Sequence, residues 1–197
     1  MLAVAAGSEQ LTRAMRSLEA AFLIGVEGVT EIWLIRHGDC YEDLTETVDP
    51  PLSKLGRNQA ARLAERLRRT RPDAVYSSPY RRAIETAEAF SADVHVDERL
   101  VEMKLEVTAD GSLNFREPST LVVDRMRSVV EEITQLHTGQ RIAVVGHGAA
   151  IIAYLADVLR LEPGQLRLLP YYTSISVVRA LGDQRMVGAL GDVAHLE

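Results

Sequence analysis

The sequence predicts an α/β fold, a three-layer sandwich in which a mostly parallel central sheet has helices on both faces. Two observations predict it. Short apolar, β-branched runs alternate with amphipathic stretches of helical spacing from residue 31 to residue 160. Two further apolar runs, joined by a Gly182-Asp183 turn, predict a hairpin after them. With 197 residues, 47% of them apolar, the chain can bury one sizeable core.

Each element is predicted from its local pattern. The run EIWLIR at 31–36 is apolar enough for a buried parallel strand. Ser8, Ser53 and Ser78 stand where helix N-caps are expected. The predicted strands lie at 31–36, 74–77, 94–96 and 141–145, with hairpin strands at 175–180 and 185–189. The predicted helices lie at 8–24, 54–69, 78–90, 119–137 and 149–160. Loops are predicted at 39–51 and at 103–117, the second as a small lid.

Gly25 and Gly28 separate the first predicted helix from the rest, which divides the chain into an appendage, 1–28, and a single domain, 29–197. The helix has an apolar stripe, so the appendage is expected to pack on the domain or on a second copy in a homodimer. An alternative of equal weight is a half-ordered tail.

Composition excludes several classes of function. There are 22 basic and 28 acidic side chains, a net charge of −6, which argues against nucleic acid and membrane surfaces as partners. Cys40 is the single cysteine, so an internal disulfide is excluded, and this low cysteine content fits a cytoplasmic location. No carboxylate or Cys/His cluster has metal-ligand spacing, and neither lysine lies in a phosphate-binding P-loop, so no metal or cofactor is expected.

Two histidines point to one place. His37 and His147 each follow an apolar strand and precede a glycine, and the carboxyl ends of adjacent strands line the ligand crevice of open α/β sheets. Glycine beside a reactive group lets a ligand approach the backbone closely. Arg36 and Arg82 could supply guanidinium groups for phosphate oxygens. Taken singly, each histidine could be structural and each arginine a surface residue.

The ordered motifs are recognisable. They are Arg36-His37-Gly38, Pro51-Leu52-Ser53-x-x-Gly56-x-x-Gln59-Ala60, Tyr76-Ser77-Ser78-Pro79-x-x-Arg82-Ala83-x-x-Thr86-Ala87-Glu88 and Val145-Gly146-His147-Gly148. From about residue 31 to residue 178 the chain resembles the histidine phosphatase superfamily, which has the phosphoglycerate-mutase-like fold. The resemblance implies that 29–197 is a catalytic domain.

The resemblance also implies roles. His37 would be the nucleophile that carries the phosphoryl group, and a backbone acceptor at its other ring nitrogen would fix the tautomer. Arg36, Arg82 and His147 would hold the phosphoryl oxygens, beside Gly38 and Gly148, and repulsion among these cationic groups would keep His37 neutral. The Leu-x-Glu context gives Glu102 the role of general acid and base, against the alternative of a surface carboxylate. Arg81 is one place off the family position and is expected to face solvent.

Three departures from the family pattern bear on the site. Asp43 stands at the usual asparagine position, where a carboxylate pointing inward would repel phosphate. The lid sequence after Glu102 is unlike the usual one. Cys40 could have a thiol of lowered pKa beside the cationic groups, or it could fill the place of a small hydroxyl residue, which we favour.

The function that the resemblance implies is a metal-independent phosphatase that hydrolyses phosphate monoesters of small metabolites through a phosphohistidine intermediate. One alternative is a phosphohistidine protein phosphatase, whose short relatives generally lack the glutamate and the lid. The other is a phosphoglycerate-type mutase, which would need more cationic groups than this lid offers. The sequence does not name the physiological ester.

Overall fold

The computed structural model describes residues 2–41, 49–162 and 164–197. The helices are α1 (Leu2–Ala21), α2 (Lys54–Leu67), α3 (Arg81–Glu88), α4 (Ser119–Leu136) and α5 (Gly148–Val158). The strands are β1 (Thr30–Arg36), β2 (Ala74–Ser77), β3 (His95–Val96), β4 (Leu105–Val107), β5 (Leu113–Phe115), β6 (Arg141–Gly146), β7 (Ile175–Leu181) and β8 (Gln184–Asp192). Short 3₁₀ turns lie at Glu98–Leu100 and Ala194–Leu196.

Six strands form the central sheet in the order β3-β2-β6-β1-β7-β8. β3, β2, β6 and β1 pair in parallel, and β7 and β8 add an antiparallel hairpin at the β1 edge. The predicted α/β class with a mostly parallel sheet is confirmed. This order places the carboxyl ends of β2, β6 and β1 side by side, which is where the predicted site residues follow.

Strand β1 shows why the sheet is covered on both faces. Ile32 and Leu34 pack into the core beneath α4 and α5, whereas Trp33 and Ile35 pack into the core beneath α2 and α3. Successive side chains of a strand point to opposite faces, so an entirely apolar strand needs cover on both. The layers are therefore helix, sheet and helix.

Three local expectations were wrong. Ser8 does not cap α1, which begins at Leu2. Ser78 does not cap α3, which begins at Arg81, because its hydroxyl is hydrogen-bonded to His147 instead. The segment 103–117, predicted as a loop or small lid, contains a two-stranded sheet, β4 and β5. Its sequence has no clear alternation of apolar and polar residues, so no strand was predicted there. Ser53, in contrast, caps α2 by accepting a hydrogen bond from the Gly56 amide. Asp43 lies outside the described residues.

The apolar stripe of α1 is uncovered by the described residues of this chain. Leu11, Met15, Leu18 and Phe22 are each about half exposed or more, and Leu23 is the first buried residue after the helix. The stripe does not pack on the described part of the domain, and the second copy and the half-ordered tail both stay predictions. No helix among the described residues is long and apolar enough to cross a membrane.

Candidate active site

His37 and His147 meet at the carboxyl ends of β1 and β6. The two strands pair in parallel up to Arg36 opposite Gly146, and the His37 amide continues the ladder by donating to the Gly146 carbonyl at 2.9 Å. The ring centroids lie 5.1 Å apart, and both residues are buried. Two histidines that are 110 positions apart in the sequence (147 − 37) thus share one pocket.

The hydrogen bonds of His37 define its tautomer. Nδ1 lies 2.7 Å from the Gly38 carbonyl oxygen, which can only accept, so Nδ1 carries the proton. Nε2 is then unprotonated and accepts from Nε of Arg82 at 3.3 Å. The pKa of His37 is lowered to about 3, chiefly by burial; the Gly38 contact opposes this effect, and the charges of Arg82 and Arg36 add to it. Burial contributes more than the charge repulsion expected from the sequence.

His147 is also neutral, with its proton on the other nitrogen. Its Nδ1 accepts from Nη2 of Arg82 at 3.4 Å, so Nε2 carries the proton and donates to the Ser78 hydroxyl at 2.7 Å. Burial lowers the pKa of His147 well below its ordinary value, with further contributions from His37 and Arg82. One guanidinium group therefore bridges an unprotonated nitrogen of each histidine.

Arg36 is held by the segment that precedes β7. Its Nη1 donates to the Pro170 carbonyl at 2.8 Å, and its Cζ lies 4.1 Å from the centre of the Tyr172 ring. Its Nε is buried without a hydrogen-bond partner among the described residues, so it has a donor to offer. Guanidinium groups pair well with phosphate oxygens.

The two glycines serve a purpose that was not expected from the sequence. A Cβ on Gly148 would lie 3.4 Å from Nε of Arg36, and a Cβ on Gly38 would lie 2.8 Å from the Gly56 carbonyl oxygen. The groups that approach these glycines closely are thus protein groups, a catalytic candidate in one case and α2 in the other. That a ligand also approaches them stays a prediction.

Glu102 lies at the first turn of α5, the helix that His147 begins. Its Oε1 accepts from the amides of Met103 at 2.8 Å and Ala150 at 3.0 Å, and its Oε2 accepts from Ala149 at 3.2 Å. The side chain is half-buried. These three amide hydrogen bonds tie the carboxylate to the N-terminus of the helix that follows His147, so Glu102 is not a free surface residue, and its role in proton transfer stays a prediction.

A family model matches residues 32–113 and 109–193, and it describes the histidine phosphatase superfamily (branch 1). The chain belongs to this superfamily. The predicted superfamily, its fold and a hydrolase of the histidine phosphatase type are confirmed.

Named relatives of this histidine phosphatase fall into two groups. A metal-independent phosphoserine phosphatase of Arabidopsis thaliana is 28% identical and covers 85% of this chain and 84% of its own length. Phosphoglycerate mutase-like protein 4 of the same plant is 29% identical and covers 85% and 87%. A phosphoserine phosphatase of Entamoeba histolytica, solved with 3-phosphoglyceric acid, superposes with a TM-score of 0.74 at 20% identity over 85% of this chain and all of the other. The last likeness shows the fold.

Sequence reasoning missed several residues of the histidine phosphatase site. Ser78 and Tyr172 contact His147 and Arg36 as described, and Tyr80 presents its ring to His147 at 5.1 Å. Asp49 accepts from Nη1 of Arg82 at 3.4 Å. Ser78 lay within a quoted motif. The sequence offers Tyr172 only as apolar or hydroxyl surface for a substrate alcohol, which core packing explains equally well, and no local pattern shows its contact with Arg36 or the approach of Asp49.

Two smaller expectations can be settled. Arg81 faces solvent as expected and pairs with Glu85. Cys40 is buried, and burial raises the pKa of its thiol, so the alternative of a lowered pKa was wrong. Within the described ranges, no three His, Cys, Asp or Glu side chains are grouped as metal ligands.

Proposed function

We propose that the protein is a metal-independent phosphatase that hydrolyses small phosphate monoesters through a phosphohistidine on Nε2 of His37. The observation that carries the proposal is the position of Arg82, whose guanidinium group bridges unprotonated nitrogens of His37 and His147. A nucleophile and a cationic group that opposes phosphoryl charge are thereby held together in a buried pocket.

The reaction follows from this arrangement. The lone pair of His37 Nε2 attacks phosphorus, the ester P–O bond breaks, and Glu102 in its protonated form gives its proton to the departing alcohol oxygen. Arg36 and Arg82 donate to the phosphoryl oxygens in the transition state, and His147 joins them when its Nδ1 carries a proton. Glu102, now a carboxylate, takes a proton from water, whose oxygen attacks the phosphohistidine and releases inorganic phosphate and neutral His37.

The names of the relatives suggest the first substrates to test, phosphoserine and 3-phosphoglycerate. We infer a phosphatase rather than a mutase. The protein should therefore release phosphate from both substrates and should not isomerise 3-phosphoglycerate. A phosphohistidine protein belongs in the same panel, and kcat/KM should be lower for it than for a small ester. The cytoplasm remains the expected compartment.

The experiment that tests the intermediate is an acid-sensitive trapping assay. Wild-type protein, quenched during turnover of a ³²P-labelled ester, should carry label that is stable in base and lost in acid.

Arg82→Ala should lower kcat by about 10²–10³-fold. Arg81→Ala is the matched control, because that side chain faces solvent, and it should behave as wild type. Turnover that requires a metal, tested with EDTA, would contradict the proposal.

A further inference from the structure

The segment 170–174, here called the arginine turn, is bonded to the main chain of the candidate nucleophile. The Thr173 amide donates to the Arg36 carbonyl at 2.9 Å and to the His37 carbonyl at 3.4 Å. The Arg36 amide donates to the Ser174 carbonyl at 3.3 Å. With the Pro170 and Tyr172 contacts to the Arg36 side chain, this turn sets where the phosphate-binding guanidinium and the His37 backbone lie.

Thr173 adopts a costly conformation at the centre of the arginine turn. Its φ is +57°, in the left-handed region, and it is fully buried. A β-branched residue rarely adopts this conformation and keeps it only when surrounding contacts enforce it. The arginine turn therefore depends on whatever fixes Thr173.

A directed chain of hydrogen bonds fixes the Thr173 side chain. Its hydroxyl donates to the Tyr172 carbonyl at 2.7 Å and so accepts from Nε2 of His195 at 2.9 Å. With the proton on Nε2, Nδ1 of His195 is an acceptor, and Nη1 of Arg66 lies 3.5 Å from it. Arg66 is in turn paired with Asp192 through both carboxylate oxygens.

Burial and a neighbouring positive charge keep the His195 ring neutral. Burial and the Arg66 charge lower the pKa of His195 to about 4, against an opposing effect of Asp192. The ring is therefore available as a hydrogen-bond donor to Thr173 at neutral pH. The His195 hydrogen bond is not the only contact that holds the 194–196 turn to the rest of the chain, because Nη1 of Arg62 also donates to the Leu196 carbonyl at 2.6 Å.

We propose that His195 is a positioning residue for phosphoryl transfer, acting through the Thr173 hydroxyl to hold the arginine turn against Arg36 and His37. The inference rests on the proposed function. It assigns to a residue of the last 3₁₀ turn a part in catalysis that the motifs around His37 and His147 do not contain.

The test compares two replacements of His195. His195→Phe keeps a ring but removes the donor, whereas His195→Gln places an amide N–H near the position of Nε2. We expect His195→Phe to lower kcat for p-nitrophenyl phosphate by about tenfold or more, since small displacements of catalytic groups are costly. It should weaken competitive inhibition by orthovanadate as well. His195→Gln should recover most of both.

Controls separate positioning from stability. Val129→Ala, a cavity variant in α4 distant from the arginine turn, should lower Tm without changing kcat of the folded protein. If His195→Phe does not fold, Thr173→Val and Thr173→Ser make the same comparison, because only Ser keeps the hydroxyl. Thr173→Val should then lose activity and Thr173→Ser should retain it.

Each outcome has one meaning. Equal kcat and vanadate inhibition in wild type and His195→Phe would overturn the inference and leave the proposed function standing. Equal loss in His195→Phe and His195→Gln, or in both Thr173 variants, would also overturn it, because the hydrogen bond would not be the cause. A wild-type protein that neither hydrolyses phosphate esters nor binds vanadate would instead overturn the proposed function.

Discussion

The position of a single proton decides what His37 can do. The Gly38 carbonyl retains the proton on Nδ1, and burial keeps Nε2 unprotonated at neutral pH. The ring therefore presents a lone pair without needing a separate base. His147 has the opposite tautomer, so its Nδ1 is an acceptor for Arg82, and that nitrogen must gain a proton before it can donate to a phosphoryl oxygen.

Replacement of His37 by Ala should abolish hydrolysis of p-nitrophenyl phosphate, because it removes the unprotonated Nε2 that the proposed reaction uses as the nucleophile. We expect kcat to fall by about 10⁴-fold or more. Circular dichroism and the urea midpoint at pH 7 should show a folded protein. Retained turnover in folded His37→Ala would remove the assignment.

The role of Glu102 can be tested through the leaving group. Glu102→Gln keeps one oxygen that can accept from the Met103 and Ala150 amides, but its –NH2 group cannot accept from Ala149 and the side chain cannot transfer a proton. For an alkyl ester such as phosphoserine, kcat/KM, which reports the steps up to the phosphohistidine, should fall by about 10²–10⁴-fold. For p-nitrophenyl phosphate, whose leaving group needs no proton, kcat/KM should fall much less. Glu106→Gln, which alters an exposed lid carboxylate, should change neither rate.

At the scale of elements, the site depends on how closely α2 approaches the loop after β1. Gly38 and Gly56 face each other, and Ser53, the cap of α2, also donates its hydroxyl to Asp39 at 2.6 Å. The Asp39 amide donates to Gln59 at 2.9 Å. Helix α2 therefore fixes the backbone from which His37 projects.

Gly56→Ala should disrupt this packing, because a Cβ there would overlap the Asp39 carbonyl. We expect a loss of about 1–3 kcal/mol in unfolding free energy, as for overpacked cores, together with a fall in kcat. Asn58→Ala, on the exposed face of the same helix, should affect neither. Urea unfolding and p-nitrophenyl phosphate turnover measure both. Wild-type stability in Gly56→Ala would contradict the close approach.

The elements that were predicted well are those whose signal is local. β2 was predicted at 74–77, as observed, and Ser53 caps α2, because apolar runs and caps act over a few residues. The start of α3 was missed because the Ser78 hydroxyl has a better partner in His147, which is distant in the sequence. His37, His147 and Arg82 could be assigned because each lies in a local motif. Asp49, Tyr172 and His195 reach their partners only through contacts between distant parts of the chain, so the motifs could not assign them.

At the scale of the whole molecule, we predict that α1 is dispensable for the domain that carries the site. The helix exposes its apolar stripe, and the candidate catalytic side chains all come from residues after 35. We predict that a chain beginning at Phe22, which keeps the buried Leu23, retains kcat/KM for p-nitrophenyl phosphate. Its unfolding free energy should change by less than about 0.5 kcal/mol. A large loss of either would show that 1–28 is not an appendage.

The neutral histidines make the whole molecule sensitive to acid. The pKa of His37 is about 3 in the fold, and that of His147 is also far below 6.5, the ordinary value that applies in the unfolded chain. Between about pH 6.5 and 3 the unfolded state therefore binds more protons, and the free energy of unfolding falls as the pH falls. Each of these two buried rings removes up to about 1.4 kcal/mol per pH unit in that window. His195, which is half-buried, acts in the same direction with a smaller effect.

Urea midpoints measured at pH 7, 6, 5 and 4 test this prediction. The midpoint should be nearly constant above pH 6.5 and should fall steeply below it. His37→Asn, whose amide can still donate to Gly38, removes one titrating ring, so its midpoint should fall less steeply than that of the wild type. His95→Asn, which replaces an exposed histidine, should follow the wild type. If His37→Asn and wild type lose stability in parallel from pH 6 to pH 4, His37 is not the buried, unprotonated nucleophile that the proposed reaction requires.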